Sequence, residues 1–354
     1  MPEWKLVGPT VPAWVKRSHL LRPVGFDSGR IQWKPMPASG PAWAPFDASR
    51  LPAGSRTLLM VHGTGLRTGE GFRGFSKKDF KALREIYGER IIAFEHRAFA
   101  HHVHRNARDL LRRLTKPGVR LELDVLGLSR GGLVTRWITE GWVADLPGVE
   151  NIQIHKLIFV GTPNGGTPSA RRDPSGVGAK KMKAWRTDVR RLTLVNKVDR
   201  DVEHVFDPFS VAGFEPSSIQ LRTWPMLLGS QDQVPTSPVL DRLNGFAGPR
   251  PGTLQPTVYY GIASVFTFGH GAPNIELSGL TREQIADHAL PGVANDLVVP
   301  TASVYAPEQG PDSSGKFPLH PERLWVLGPS SNASHTSLML MRAVRRKILM
   351  WLKD

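Results

Sequence analysis

Ser129 stands in the run LDVLGLSRGGLVTRW (123–137), with Gly127 two residues before it and Gly131 and Gly132 two and three residues after. This spacing suits a serine nucleophile carried at the tip of a sharp turn between a strand and a helix. The turn holds the serine in a strained conformation, and a side chain at either flanking position would strike the neighbouring strand or helix. The helix then starts with free N–H groups beneath the serine, where they can stabilise developing negative charge. Taken alone, the pentapeptide is weak evidence, since an ordinary glycine-rich strand-to-helix turn is the other reading, so its meaning rests on what else the chain carries.

A serine hydroxyl is a poor nucleophile until a histidine accepts its proton and an acid orients that histidine. Of twelve histidines, His335 in SNASHTSL is the best placed, in the last strand-to-helix loop and hence at the same sheet edge as Ser129. His270 and His320 are less well placed. His101, His102 and His104 (HHVH) have no further metal ligand nearby and read as a polar loop, so no metal is expected. Two acids compete. Asp296 in NDLVVPTAS follows the strand signal at 257–266 and precedes the one at 322–329 that leads to His335, whereas Asp232 in the similar DQVPTSP precedes both. Asp296 is favoured because the chain order then runs Ser, Asp, His. In MVHGTG (60–65), the backbone N–H of Thr64 is one candidate oxyanion donor, and that of Arg130, next to the serine, is the other. GTGLRTG has the wrong glycine spacing for a dinucleotide loop. GTPNGGT has threonine where a phosphate-binding loop needs lysine, so no nucleotide cofactor is implied.

These residues need a scaffold, and the hydropathy pattern supplies one. Short apolar strands at 57–63, 90–96, 121–128 and 156–163 alternate with helices at 77–87, 106–114 and 131–142. Such alternation predicts an α/β class protein with a mostly parallel sheet covered on both faces. Strand signals resume at 257–266, 297–300 and 322–329, and a strong helix is expected over 336–352. Residues 1–54 are rich in Pro and Trp and predict an extended arm with short strands, packed on the core. The core is expected over 55–167 and 256–354, interrupted by a basic, proline-punctuated insertion at 168–255 that caps the site. Leu128 beside the serine and Val211, Phe214, Trp224, Met226, Leu227 and Leu228 of the insertion are candidates to line an acyl pocket. The insertion's residues serve equally well as the small core of the cap itself.

Composition narrows the function classes. The 354 residues contain no cysteine, which rules out disulfides, thiolate metal sites and a cysteine nucleophile. No signal peptide or membrane span is legible, so cytoplasmic residence is the default expectation, with signal-independent export also compatible. The net charge of +15 predicts attraction to polyanions, whether nucleic acid, an acidic partner or an anionic membrane touched peripherally, and reads equally well as a solvated basic surface that aids solubility. No recognisable nucleic-acid motif accompanies the charge, and oligomeric state is not legible.

Taken together, VHGTG, HRNARDLL, GLSRGG, FVGTPNGGTP, VPTSPVLDRLN, YYGIAS and NDLVVPTAS resemble the lipase-like branch of the α/β-hydrolases, bacterial lipases and lipid deacylases among them, over residues 57 to 350. The resemblance implies an α/β-hydrolase fold with Ser129 as nucleophile, Asp296 as acid and His335 as base, and Thr64 and Arg130 lining the oxyanion hole. It implies no cofactor, and a serine esterase or lipase acting on a lipid or phospholipid ester through an acyl-enzyme; a soluble ester or thioester is the other substrate class. Three features depart from the family: Arg130 stands where histidine or methionine is common, 267–295 is long, and the N-terminal arm has no counterpart. The contrasting expectation is a catalytically silent protein of this fold, whose basic surface engages a polyanion.

Overall fold

A computed structural model of the chain describes residues 30–33, 43–45, 56–115, 119–170, 228–248, 256–266, 290 and 292–354. Eight strands form one sheet: β1 (Arg30–Trp33), β2 (Ala44–Pro45), β3 (Arg56–Val61), β4 (Ile91–Glu95), β5 (Leu121–Leu128), β6 (Ile152–Val160), β7 (Val258–Ser264) and β8 (Leu324–Leu327), in the order β2-β1-β4-β3-β5-β6-β7-β8. The six strands from β3 onward pair in parallel, while β1 and β2 add antiparallel at one edge. The described part of the N-terminal arm thus extends the sheet, and Trp43 packs edge-on to Phe80 at 6.2 Å.

The helices are α1 (Thr68–Gly71), α2 (Lys77–Tyr87), α3 (Val103–Leu114), α4 (Arg130–Thr139), α5 (Leu228–Gln231), α6 (Pro238–Leu243), α7 (Thr301–Tyr305) and α8 (Arg342–Lys353). The central strands are apolar almost throughout because both faces are covered. Alternate residues of β3 divide between two cores. Leu59 and Val61 join α3, α4, α6 and α7, whereas Leu58 and Met60 join α2 and α8. Parallel strands place all their C-terminal ends, and the loops that follow them, along one edge. This is the α/β-hydrolase fold.

Four local expectations need correction. Residues 297–300 form no strand; they make a tight turn closed by a single bridge between Asn295 and Pro300, because the Asp296 side chain takes the N–H groups that a ladder would use. The last helix begins at Arg342 rather than 336, since Leu338–Leu340 form a separate 3₁₀ turn that buries Leu338 and Met339. HHVH is not a polar loop: His101 is buried and His102 is the N-cap of α3. The helix after the serine ends at Thr139. Within the stretch expected as an insertion, Val239, Leu240 and Leu243 pack in the core, and Leu228 starts α5. Val211, Phe214, Trp224, Met226 and Leu227 lie outside the described residues.

Candidate active site

Ser129 closes β5 and is the N-cap of α4, with φ 52° and ψ −128°, a region that non-glycine residues rarely enter. The glycines make this geometry possible. A Cβ on Gly127 would lie 2.7 Å from the Cα of Gly132, and one on Gly131 would lie 2.2 Å from the carbonyl oxygen of Val61 on β3. Gly132 matters as much, since its Cβ would meet Thr162 Oγ1 at 2.2 Å. Helix α4 can therefore start directly under the serine while β3, β5 and β6 converge on it. The backbone is tied down by Ser129 N–H donating to Val160 O at 2.8 Å. Gly63 lets the end of β3 pass over the turn, because a Cβ there would stand 2.8 Å from the Cβ of Ser129.

His335 reaches the serine from the loop after β8. Its Nε2 is 3.0 Å from Ser129 Oγ, and its Nδ1 is 2.7 Å from Asp296 Oδ2. With the carboxylate accepting at Nδ1, the neutral imidazole carries its proton there and offers the Nε2 lone pair to the hydroxyl. The His335 N–H also donates to the backbone oxygen of Asp296 at 2.9 Å, so the two residues are joined twice. Gly161, at the end of β6 with φ 57°, leaves room for the ring: a Cβ there would touch it at 3.0 Å.

The carboxylate is held as firmly. Asp296 Oδ1 accepts N–H bonds from Val298 at 3.0 Å and Val299 at 2.7 Å, leaving Oδ2 to face the imidazole. Leu297 between them is forced to φ 79°, and Asn295 Oδ1 accepts its N–H at 2.8 Å. Asp232 lies elsewhere. Its Oδ1 is 2.7 Å from His102 Nδ1, while Oδ2 accepts from Val103 N–H at 2.6 Å and Arg130 Nη2 at 3.2 Å.

Arg130 is the first residue of α4, so its N–H has no acceptor within the helix. Thr64 follows Gly63 in the turn over Ser129, and its Oγ1 accepts from Gln233 Nε2 at 3.0 Å. The Arg130 side chain is fully buried, a role that nothing in the sequence advertised. Besides Asp232 it donates to Gly229 O at 2.9 Å and His101 O at 2.7 Å, and Nη1 stands 3.4 Å from His96 Nδ1. Burial lowers the pKa of His96 well below the ordinary histidine value, and its neighbours His62 and the Arg130 guanidinium act in the same direction. Leu128 is buried beside the serine, next to the α1 segment: a Cβ on Gly71 would lie 3.4 Å from its Cδ2. His320 is exposed beside Glu322, and His270 lies outside the described residues. Among the described residues no group of three or more His, Asp or Glu could hold a metal ion, and no helix is long and apolar enough to cross a membrane.

The chain belongs to the family described as a domain of unknown function (DUF7379), whose model matches residues 22–353. Among solved structures it is similar to the mature Bacillus licheniformis lipase BlEst2, at 13% identity and TM-score 0.41, with 92% of this chain and 99% of that chain covered. It is also similar to a thermophilic esterase from Thermogutta terrifontis, at 16% identity and TM-score 0.34, covering 92% and 97%. A 2-hydroxy-6-oxo-6-phenylhexa-2,4-dienoate hydrolase from Rhodococcus matches at 14% identity and TM-score 0.38, covering 88% and 93%. No curated protein sequence matches it.

Proposed function

We propose that the protein is a serine hydrolase of carboxylic esters, acting on lipid acyl esters at an anionic surface. The observation that carries this reading is the continuous hydrogen-bonded line from Ser129 Oγ through His335 to Asp296. Ser129 Oγ attacks the ester carbonyl as its proton passes to His335 Nε2, and Asp296 stabilises the imidazolium. The N–H groups of Thr64 and Arg130 receive the oxyanion. Collapse of the tetrahedral intermediate breaks the bond to the alcohol, which leaves with the proton from His335. Water then attacks the acyl-enzyme, again giving a proton to His335. The carboxylic acid departs and the proton returns to Ser129.

The substrate class rests on the rim of the site. The α1–α2 loop runs from Leu128 to the loop after His335, where a Cβ on Gly74 would meet the backbone of Met339 and Leu340. Around this contact Arg73, Lys77, Lys78, Arg342 and Arg346 are exposed. The nearby Asp79 carboxylate faces inward to Ser76 and Arg345. Such a cationic rim attracts lipid headgroups of opposite charge, at roughly 1 kcal/mol per residue near a charged surface, and this favours the lipid class.

The test is intact-mass analysis after fluorophosphonate treatment, followed by peptide mapping. A single adduct on Ser129, absent in Ser129→Ala, is expected. A folded protein that takes no adduct would return it to the class of silent binding folds. Turnover of graded acyl esters, as monomers and in phosphatidylglycerol vesicles, then tests the substrate class.

A further inference from the structure

The proposed oxyanion donors, Thr64 and Arg130, belong to different strand-to-helix connections, yet their side chains converge on one short segment, residues 229–233. Arg130 Nε donates to Gly229 O at 2.9 Å, and Gln233 Nε2 donates to the same carbonyl at 3.0 Å. The Gln233 amide also donates to Thr64 Oγ1 at 3.0 Å. Asp232, between these residues, accepts from Arg130 Nη2 and is fixed on its far side by Val103 N–H and His102. Gln233 O in turn accepts the Thr167 N–H at 2.7 Å. The segment is seated too closely to shift: a Cβ on Gly229 would fall 1.7 Å from Ala98 O. Gln233, Asp232 and the Arg130 guanidinium are all buried.

From this convergence we infer that Gln233 and Asp232 are positioning residues for the oxyanion hole, acting through Thr64 and Arg130. The inference rests on the hydrolase reading and deepens it. A backbone N–H stabilises an oxyanion only if it is already aimed where the charge develops. The turn at 63–65 has a glycine on each side of Thr64, so its own backbone does little to fix the direction of that N–H. The Gln233 amide supplies the restraint from outside. On the other donor, the buried Arg130 side chain anchors the first residue of α4 to the same carbonyl and to Asp232.

The discriminating variant is Gln233→Met, which keeps the side chain's length and removes both donated hydrogen bonds. Expected is a fall in kcat of about tenfold to a hundredfold, less than the 10²–10³ of deleting a donor outright. KM should stay within about twofold. Affinity for a trifluoromethyl ketone, which forms a tetrahedral adduct on serine, should fall in proportion to kcat, while affinity for the product carboxylate should not change. Thr64→Val breaks the same contact from its other end, so Thr64→Val with Gln233→Met should cost little more than either alone. It also serves as the reporter if Gln233→Met does not fold. Asp232→Asn should show the same split between ketone and carboxylate.

Wild-type kcat and ketone affinity in Gln233→Met, with normal Ser129 labelling, overturn this inference and leave the hydrolase reading standing. Additive losses in the double variant overturn it as well. A wild-type protein that neither labels nor turns over ester overturns both.

Discussion

Ser129 occupies a backbone conformation that costs a non-glycine residue on the order of 1–3 kcal/mol, and such a residue persists only where its surroundings over-determine it. Here they do, through backbone contacts that no rotamer change can relieve. Gly131→Ala would set a methyl group against Val61 O on β3, at a starting separation of 2.2 Å. We expect a loss of about 1–3 kcal/mol in chemical denaturation, together with failure of Ser129 to label. Gly69→Ala, where a Cβ has nothing within 4 Å, is the matched control and should change neither readout. The acid is tested separately. Asp296→Asn retains a side-chain oxygen for one partner but cannot present a carboxylate at once to His335 and to the N–H groups of Val298 and Val299. By analogy with other serine triads, kcat should drop about 10⁴-fold with little change in KM. A loss below tenfold in stopped assays would remove Asp296 from the proposed mechanism. These consequences were half legible from sequence. The glycine spacing pointed to the turn, but the burial of Arg130 against Asp232 had no linear signal, because the partners are about a hundred residues apart and DQVP resembles the acid-bearing NDLVVP.

At the scale of elements, the strands and principal helices were readable because parallel strands covered on both faces must be nearly all apolar. What resisted reading were short segments governed by side-chain capture of the backbone. LVVP has the composition of a strand, yet Asp296 bends it into a turn. The segment before α8 has a helical period, yet Leu338 dips into the core and delays the helix to Arg342. The start of α3 illustrates another consequence of burial. His104 lies beside His102 and Trp137, and its pKa is lowered to about 4 by burial first and then by its neighbour His102. His101 is lowered to about 4 by burial and by Arg105 and Arg97. An unfolded chain binds protons at these sites from about pH 6.5 downward, whereas the folded chain does not until about pH 4. Their stabilising contribution is therefore complete above about pH 6.5 and is lost progressively as pH falls to about 4. Burial alone would raise the Asp79 pKa, but hydrogen bonds from Ser76 and the Arg345 cation hold it below its ordinary value, so it acts only at still lower pH. Melting of Ser129→Ala across this window should show the decline, and His104→Gln should make it shallower. A melting temperature that stays level between pH 6.5 and 4 would contradict the assignment.

On the scale of the whole molecule, exposed charge among the described residues is distributed unevenly along the strand direction. Toward the edge opposite the serine, cations face acids: Arg84 with Glu89 at 3.9 Å, Arg120 with Glu122 at 3.8 Å and Arg323 with Glu322 at 3.9 Å. At the serine's edge, the first turn of α8 carries Arg342 and no acid, while α2 opens with Lys77 and Lys78 ahead of its capping Asp79, whose carboxylate is taken up by Ser76 and Arg345. A helix N-terminus favours anions, so each cation placed there costs about 0.3–1 kcal/mol. A surface that only needed solubility could place its cations at helix C-termini, where they stabilise. The arrangement makes sense if the cations meet an anionic surface that offsets this cost. The variant Lys77→Gln, Lys78→Gln, Arg342→Gln, Arg346→Gln separates the two effects. It should melt at or above the wild-type temperature, because the unfavourable interactions with the helix termini are gone. At about 1 kcal/mol per cation near a charged bilayer, it should also partition onto phosphatidylglycerol vesicles on the order of 10³-fold more weakly. Monomeric ester turnover should stay unchanged, and wild-type vesicle binding should weaken as salt rises. Equal vesicle binding by both proteins in flotation assays would show that the rim does not serve a membrane, even if Ser129 is fully reactive.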